Sequence, residues 1–118
     1  PMAIGAKLAA PGRPVVALAG DGGFMFTIQE LATARDLGLA LPIVVYDNSG
    51  YGEIRDAMDE SDIPHLGTDV TTHDLPAIAR GFGVLGVRIT SAAELEGALR
   101  DALAAAGPTV IELVETRG

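Results

Sequence analysis

The stretch "VVALAGDGGFMF", residues 15–26, decides the fold. Pro14 to Ala19 is a short valine-rich apolar run bounded by proline and glycine. It is too short for a buried helix and predicts a strand covered on both faces, as in a parallel sheet. The run stops abruptly in Gly20-Asp21-Gly22-Gly23, and helical spacing follows at Phe24, Ile28, Leu31, Ala34 and Leu37. Thr27 and Glu30 stand three apart, the spacing of a capping box. A strand, a glycine-rich turn and a helix open a βαβ unit.

Outward from that stretch the alternation continues. Gly38 ends the helix, and Pro42–Tyr46 predicts a second buried strand. Asp47-Asn48-Ser49-Gly50 is dense turn chemistry, with a helix expected from about Tyr51 to Asp59. Residues 59–73, "DESDIPHLGTDVTTH", are polar and aperiodic and predict a long loop of functional character. Asp74 is placed to cap a short helix through Phe82, and Val84–Ile89 predicts a third strand. Ser91 with Glu94 is expected to cap a helix carrying Leu95, Leu99, Ala102 and Leu103 on one face. Gly107-Pro108 breaks it before a fourth strand, Thr109–Val114. This order predicts an α/β fold, a three-layer sandwich with a mostly parallel sheet and helices on both faces.

The chain has 118 residues, enough for one domain with a real core. Its hydrophobic content of 48% implies extra surface buried against another domain or subunit. A formal charge of −8 argues against nucleic acid or an anionic membrane as partner. Without cysteine there is no disulfide or thiolate metal site, and a cytoplasmic setting is the expectation. No apolar run approaches the roughly 20 residues of a membrane span. Helical spacing already runs through Met2, Ile4, Ala6 and Leu8, so residues 1–118 are expected to be an N-terminally incomplete piece of a longer chain.

In open α/β sheets ligands gather beyond the carboxyl ends of the strands. Two strand ends here carry unusual polar residues, Asp21 after the first and Asp47-Asn48 after the second. Glycines at 20, 22 and 23 let the backbone approach a ligand and present N–H groups, a setting suited to phosphate. A carboxylate there repels phosphate unless a cation stands between them. Asp21 and the amide oxygen of Asn48 are hard oxygen ligands of the kind Mg²⁺ or Ca²⁺ takes, completed by a backbone carbonyl, phosphate oxygens and water. Plainer roles exist for both: Asp21 can cap a helix and Asn48 can turn the chain. A dinucleotide site is a weaker fit, because Met25 stands where its third glycine belongs and Asp47 lies too far on for the ribose carboxylate. No Gly-Lys-Ser/Thr follows for a P-loop.

Gly20-Asp21-Gly22, with Asn48 closing the next strand, resembles the diphosphate-binding motif of thiamine-diphosphate-dependent enzymes. The flanking "PMAIGAKLA", "GDGGFMFTIQELATA" and "NSGYGEIR" are similar to the acetolactate synthase and 2-oxo acid decarboxylase group. The resemblance covers essentially the whole chain as the C-terminal, diphosphate-binding domain. It implies thiamine diphosphate and Mg²⁺ as cofactors, with the metal on Asp21, the Asn48 side chain and the Gly50 carbonyl. Gly22 and Gly23 would offer N–H groups to the diphosphate, and Gly20, Tyr51 and Gly52 complete the expected cofactor contacts. It implies decarboxylation or condensation of 2-oxo acids, a pyrimidine-binding domain on the same or a partner chain, and a homodimer or homotetramer. Asp47 departs from the family's first asparagine, and Gly23 stands where several relatives have serine. The residue that props the cofactor and the activating glutamate fall outside these residues, so the chain alone is expected to be inactive. The other readings are a nucleotide- or dinucleotide-binding domain and a non-catalytic module for a phosphate ligand.

Glu53, where relatives often carry an apolar residue facing substrate, is a candidate substrate contact. Its carboxylate suits a cationic group such as the guanidinium of an arginine-derived 2-oxo acid, and "GYGEIR" is similar to enzymes that decarboxylate guanidino-2-oxopentanoate. It can also serve simply as an acid at a helix N-terminus. His65 and His73 read as surface histidines without partners. Glu94, Glu96, Arg100 and Asp101 read as a solvated helix face, and Met2, Met25 and Met58 as packing residues.

Overall fold

The computed structural model describes residues 1–68, 70 and 73–114. Asp69, Thr71 and Thr72 of the predicted long loop lie outside the described residues. Four strands, β1 (Ala17–Gly20), β2 (Pro42–Asp47), β3 (Leu85–Ile89) and β4 (Thr109–Val114), form one parallel sheet in the order β1-β2-β4-β3. Among the described residues six helices accompany them: α1 (Met2–Ala9), α2 (Asp21–Met25), α3 (Glu30–Asp36), α4 (Gly52–Glu60), α5 (Leu75–Gly81) and α6 (Ala92–Ala104).

The continuous apolar runs of β2 and β4 are buried because these are the two central strands. Alternate residues feed two cores. Ile43, Val45 and Val110 pack with Phe24, Leu31, Leu75 and Ala79 on the face that carries α2, α3 and α5. Val44, Ile89 and Ile111 pack with Ala102 of α6 on the other. The expected α/β architecture with helices on both faces is therefore present. On the α6 side Leu18 and Tyr46 stay exposed at the β1 edge.

The strands lie within a few residues of expectation, and β4 matches it in full. The predicted capping box at Thr27 and Glu30 does not form. The helix starts at once from Asp21, and Thr27 N–H bonds back to the Phe24 carbonyl within a tight turn. A residue already folded into helical turns cannot take the extended backbone that an N-cap requires, and α3 begins after Gln29 with no side-chain cap. Asp74 does cap α5, its Oδ1 accepting from Ala77 N–H at 3.1 Å. Ser91 occupies the N-cap of α6, but its hydroxyl donates to the Glu94 carboxylate at 2.7 Å rather than accepting from the backbone. Met2 is not a packing residue: it is 89% exposed, because α1 turns only Ala3 and Ile4 toward the core. Leu37 is likewise exposed at the end of its helix.

Candidate functional site at the strand ends

Parallel register sets the site. Gly20 of β1 stands opposite Tyr46 of β2, so the residues that follow each strand, Asp21 and Asp47-Asn48, emerge side by side at one edge of the sheet. Asp21 leads directly into α2 and accepts from Gly22 N–H through Oδ1 at 2.8 Å. One carboxylate oxygen is thereby held, and the second keeps its full acceptor capacity. Gly20 and Gly23 have no atom within 4 Å of where a Cβ would sit, so the loop presents bare backbone to open space.

The second strand end is a tight turn. Asp47, 4% exposed, accepts from Ser49 N–H through Oδ1 at 2.7 Å. Ser49 takes φ 63° and Gly50 φ 143°. Asp47 thus organises the turn, which explains how an aspartate is accommodated there. The Gly50 carbonyl accepts from Gly52 N–H at 3.0 Å and retains a second lone pair. A Cβ on Gly52 would lie 2.5 Å from Asn48 Nδ2, so the absence of a side chain at 52 gives the Asn48 amide its place.

Gly20, Asp21, Gly22 and Gly23 of one strand end share a cleft of about 420 Å³ with Asn48, Gly50, Tyr51, Gly52 and Glu53 of the other. All the residues expected to hold cofactor and metal are brought together there. Tyr51 lies with its ring 3.4 Å from a Cβ position on Gly22, between this cleft and a second cavity of about 470 Å³. The second cavity shares Asp21, Gly22, Gly50 and Tyr51 and adds Asp47, Val70 and His73. Among the described residues neither lining contains a lysine or arginine.

The donor set fits a hard divalent cation. Among the described residues no three His, Cys, Asp or Glu side chains converge on a metal position. A cation here draws instead on one carboxylate, one amide oxygen, one main-chain carbonyl and oxygens of the ligand itself, a set suited to Mg²⁺. The bare backbone of Gly20 and Gly23 leaves the space a diphosphate needs.

Three features escaped the sequence reading. Thr68 is buried at 2% exposure within an otherwise exposed loop, its carbonyl 3.4 Å from a Cβ position on Gly50. Arg55 reaches back along α4 so that Nη2 lies 2.8 Å from that same position. Behind the site, Glu112 of β4 is fully buried and bonded to Arg88 of β3, which also meets Asp74 at 3.3 Å. The Glu112 hydrogen bond, against the opposing effect of desolvation and with the charges of Glu112, Asp74 and Asp47, raises the Arg88 guanidinium above its ordinary pKa. His65 is not partnerless: its ring meets Asp59 at 2.8 Å on the surface. His73 is exposed at the rim of the second cavity.

The family model described as "Thiamine pyrophosphate enzyme, C-terminal TPP binding domain" matches residues 1–113. A Pseudomonas aeruginosa protein described as "Probable 2-ketoarginine decarboxylase AruI" is 41% identical over 114 residues, covering 96% of this chain and 20% of that protein. Acetolactate synthase of Bacillus subtilis is 34% identical over 113 residues, covering 96% and 20%. The structure of a thiamine diphosphate-dependent 4-hydroxybenzoylformate decarboxylase from Rhodococcus jostii RHA1 superposes with a TM-score of 0.88 at 33% identity, over 98% of this chain and 22% of that one. The chain therefore spans about one fifth of the length of the curated relatives it matches. No helix among the described residues is long and apolar enough to cross a membrane.

Proposed function

The chain belongs to the thiamine pyrophosphate enzyme family as its C-terminal TPP-binding domain, and we propose that it anchors the cofactor's diphosphate through Mg²⁺. Asp21, the Asn48 amide oxygen and the Gly50 carbonyl hold the metal, while Gly23 turns its N–H toward the phosphates. The Gly22 N–H expected to join it is taken by Asp21 Oδ1, so Gly22 contributes close backbone approach instead. Gly20, Tyr51 and Gly52 shape the surrounding cleft. The observation that carries this reading is the shared cleft, which sets the Asp21 carboxylate among glycines, with Glu53 as the second acid and no basic side chain in the lining among the described residues. In such a site neutralisation of the diphosphate falls to the cation.

Thiamine diphosphate, when bound, supplies the carbanion chemistry on a 2-oxo acid. The residues of this chain bind and orient it, and the pyrimidine-binding domain of the same or a partner chain completes the site. The enzyme is read as a cytoplasmic homodimer or homotetramer that decarboxylates or condenses 2-oxo acids. Glu53, exposed on the first turn of α4 and lining the cleft, is the candidate contact to the far end of the substrate. Likeness to the protein described as a 2-ketoarginine decarboxylase favours decarboxylation of a guanidino-2-oxo acid, whose cation a carboxylate can hold bidentately.

Titration calorimetry of the intact protein with thiamine diphosphate tests the anchoring. Binding that requires Mg²⁺ and is lost in excess chelator is the expected result. Equal affinity with and without divalent metal overturns it.

A further inference from the structure

Two groups crowd the side-chain face of Gly50. It is buried and adopts φ 143°, a conformation open to glycine and strained for other residues. The terminal Nη2 of Arg55 lies 2.8 Å from where its Cβ would be, and the Thr68 carbonyl lies 3.4 Å from that point. Arg55 Nη2 is itself buried. A planar guanidinium thus fills the volume a side chain on Gly50 would take, with the carbonyl of the buried Thr68 beside it.

We propose that Arg55 is a positioning residue for the metal-binding turn, holding the Gly50 carbonyl in the direction a cation needs. The inference rests on the reading that this turn binds the metal. The physical case is one of preorganisation. A main-chain carbonyl in a glycine turn is a poor ligand while its peptide plane can rotate, and a bulky neighbour packed against the Cα removes that freedom. Thr68 supplies a backbone stop, whereas Arg55 supplies a wedge whose shape matters. Arginine and lysine differ here, since a flat fork packs against a peptide where a compact ammonium does not. The positive charge of the guanidinium itself opposes a nearby cation, so the support Arg55 gives the turn is steric. It is not itself a metal ligand and touches no reacting atom.

The test uses Mn²⁺ as a paramagnetic stand-in for Mg²⁺. Free and bound Mn²⁺ are measured by electron paramagnetic resonance on the intact protein with saturating thiamine diphosphate. Each measurement is made well below the unfolding midpoint of the variant, where a loss of stability alone leaves the affinity unchanged. Arg55→Met is expected to weaken Mn²⁺ binding by roughly 10–100-fold, the usual consequence of removing a group that orients a metal ligand. Arg55→Lys, which matches the charge and fills the space only in part, is expected to recover only part of that loss. Wild-type affinity in a folded Arg55→Met overturns the proposal. If Arg55→Met does not fold, Arg55→Lys decides: weakened binding supports the proposal and unchanged binding overturns it. A wild-type protein that takes up no Mn²⁺ with the cofactor removes the underlying reading of the turn, and this inference falls with it.

Discussion

Gly23→Ser separates the cleft's architecture from its ligand. Gly23 is the third residue of α2, exposed, with no atom within 4 Å of a Cβ position. Nothing in the fold opposes a side chain there. Glycine inside a helix costs about 0.5–1 kcal/mol relative to alanine, so Gly23→Ala is expected to raise the unfolding midpoint of the ligand-free protein slightly. Serine recovers less of that propensity but adds a hydroxyl facing the proposed diphosphate. A hydrogen bond to a charged group is worth about 1.5–3 kcal/mol. At an exposed position the lower figure applies, which is roughly tenfold in affinity. Calorimetric titration with thiamine diphosphate and Mg²⁺, beside thermal unfolding without ligand, reads the two effects apart. Gly23→Ser should bind the cofactor about tenfold tighter than wild type, and Gly23→Ala should not, although it is the more stable of the two. Equal affinity in the serine and alanine variants would refute the placement of the diphosphate against this loop.

Three further outcomes follow from the same geometry. Asp21→Ala or Asn48→Ala in the intact enzyme should abolish Mg²⁺-dependent cofactor retention while far-UV circular dichroism stays unchanged, since each removes one hard oxygen ligand; cofactor affinity equal to wild type in both would show the metal lies elsewhere. Glu53→Gln should lower the kcat/KM preference for a guanidino-2-oxo acid over pyruvate by roughly tenfold, about 1.4 kcal/mol, and an unaltered ratio would return Glu53 to a role at the helix start. Arg88→Met leaves the fully buried Glu112 carboxylate without its cation. Because Arg88 is half exposed and water can partly replace it, the expected loss is about 3 kcal/mol, the low end for a broken buried pair. Chemical denaturation should show most of it restored in Arg88→Met/Glu112→Gln.

What the sequence discloses about this site is what neighbouring residues decide. Gly20-Asp21-Gly22-Gly23 and Asp47–Gly50 are each continuous, and each ends a valine-rich run, so strand end, turn and hard ligands can all be read in one pass. Even there, chain direction was easier to read than helix start: Asp21 opens α2 directly, and the Thr27–Glu30 spacing imitates a cap that the turn at Phe24 forestalls. Groups joined by folding carry no such mark. Glu112 sits in "TVIELV", an acid within an apolar strand, and an acid so placed requires a cation. Its partner is Arg88 because the sheet order brings β3 beside β4 with those two residues in register, and strand order is set by crossover packing rather than by local composition. Thr68 is a polar residue in a polar loop, indistinguishable by type from exposed neighbours such as Ser61 and Asp62, until the fold sets its carbonyl against Gly50. Arg55 could have been suspected, since a helix beginning at Gly52 returns a long side chain at its fourth residue toward the turn it has just left. That one step joins a motif legible in the sequence to a support that only the fold reveals, and the Arg55 variants measure how much the motif depends on it.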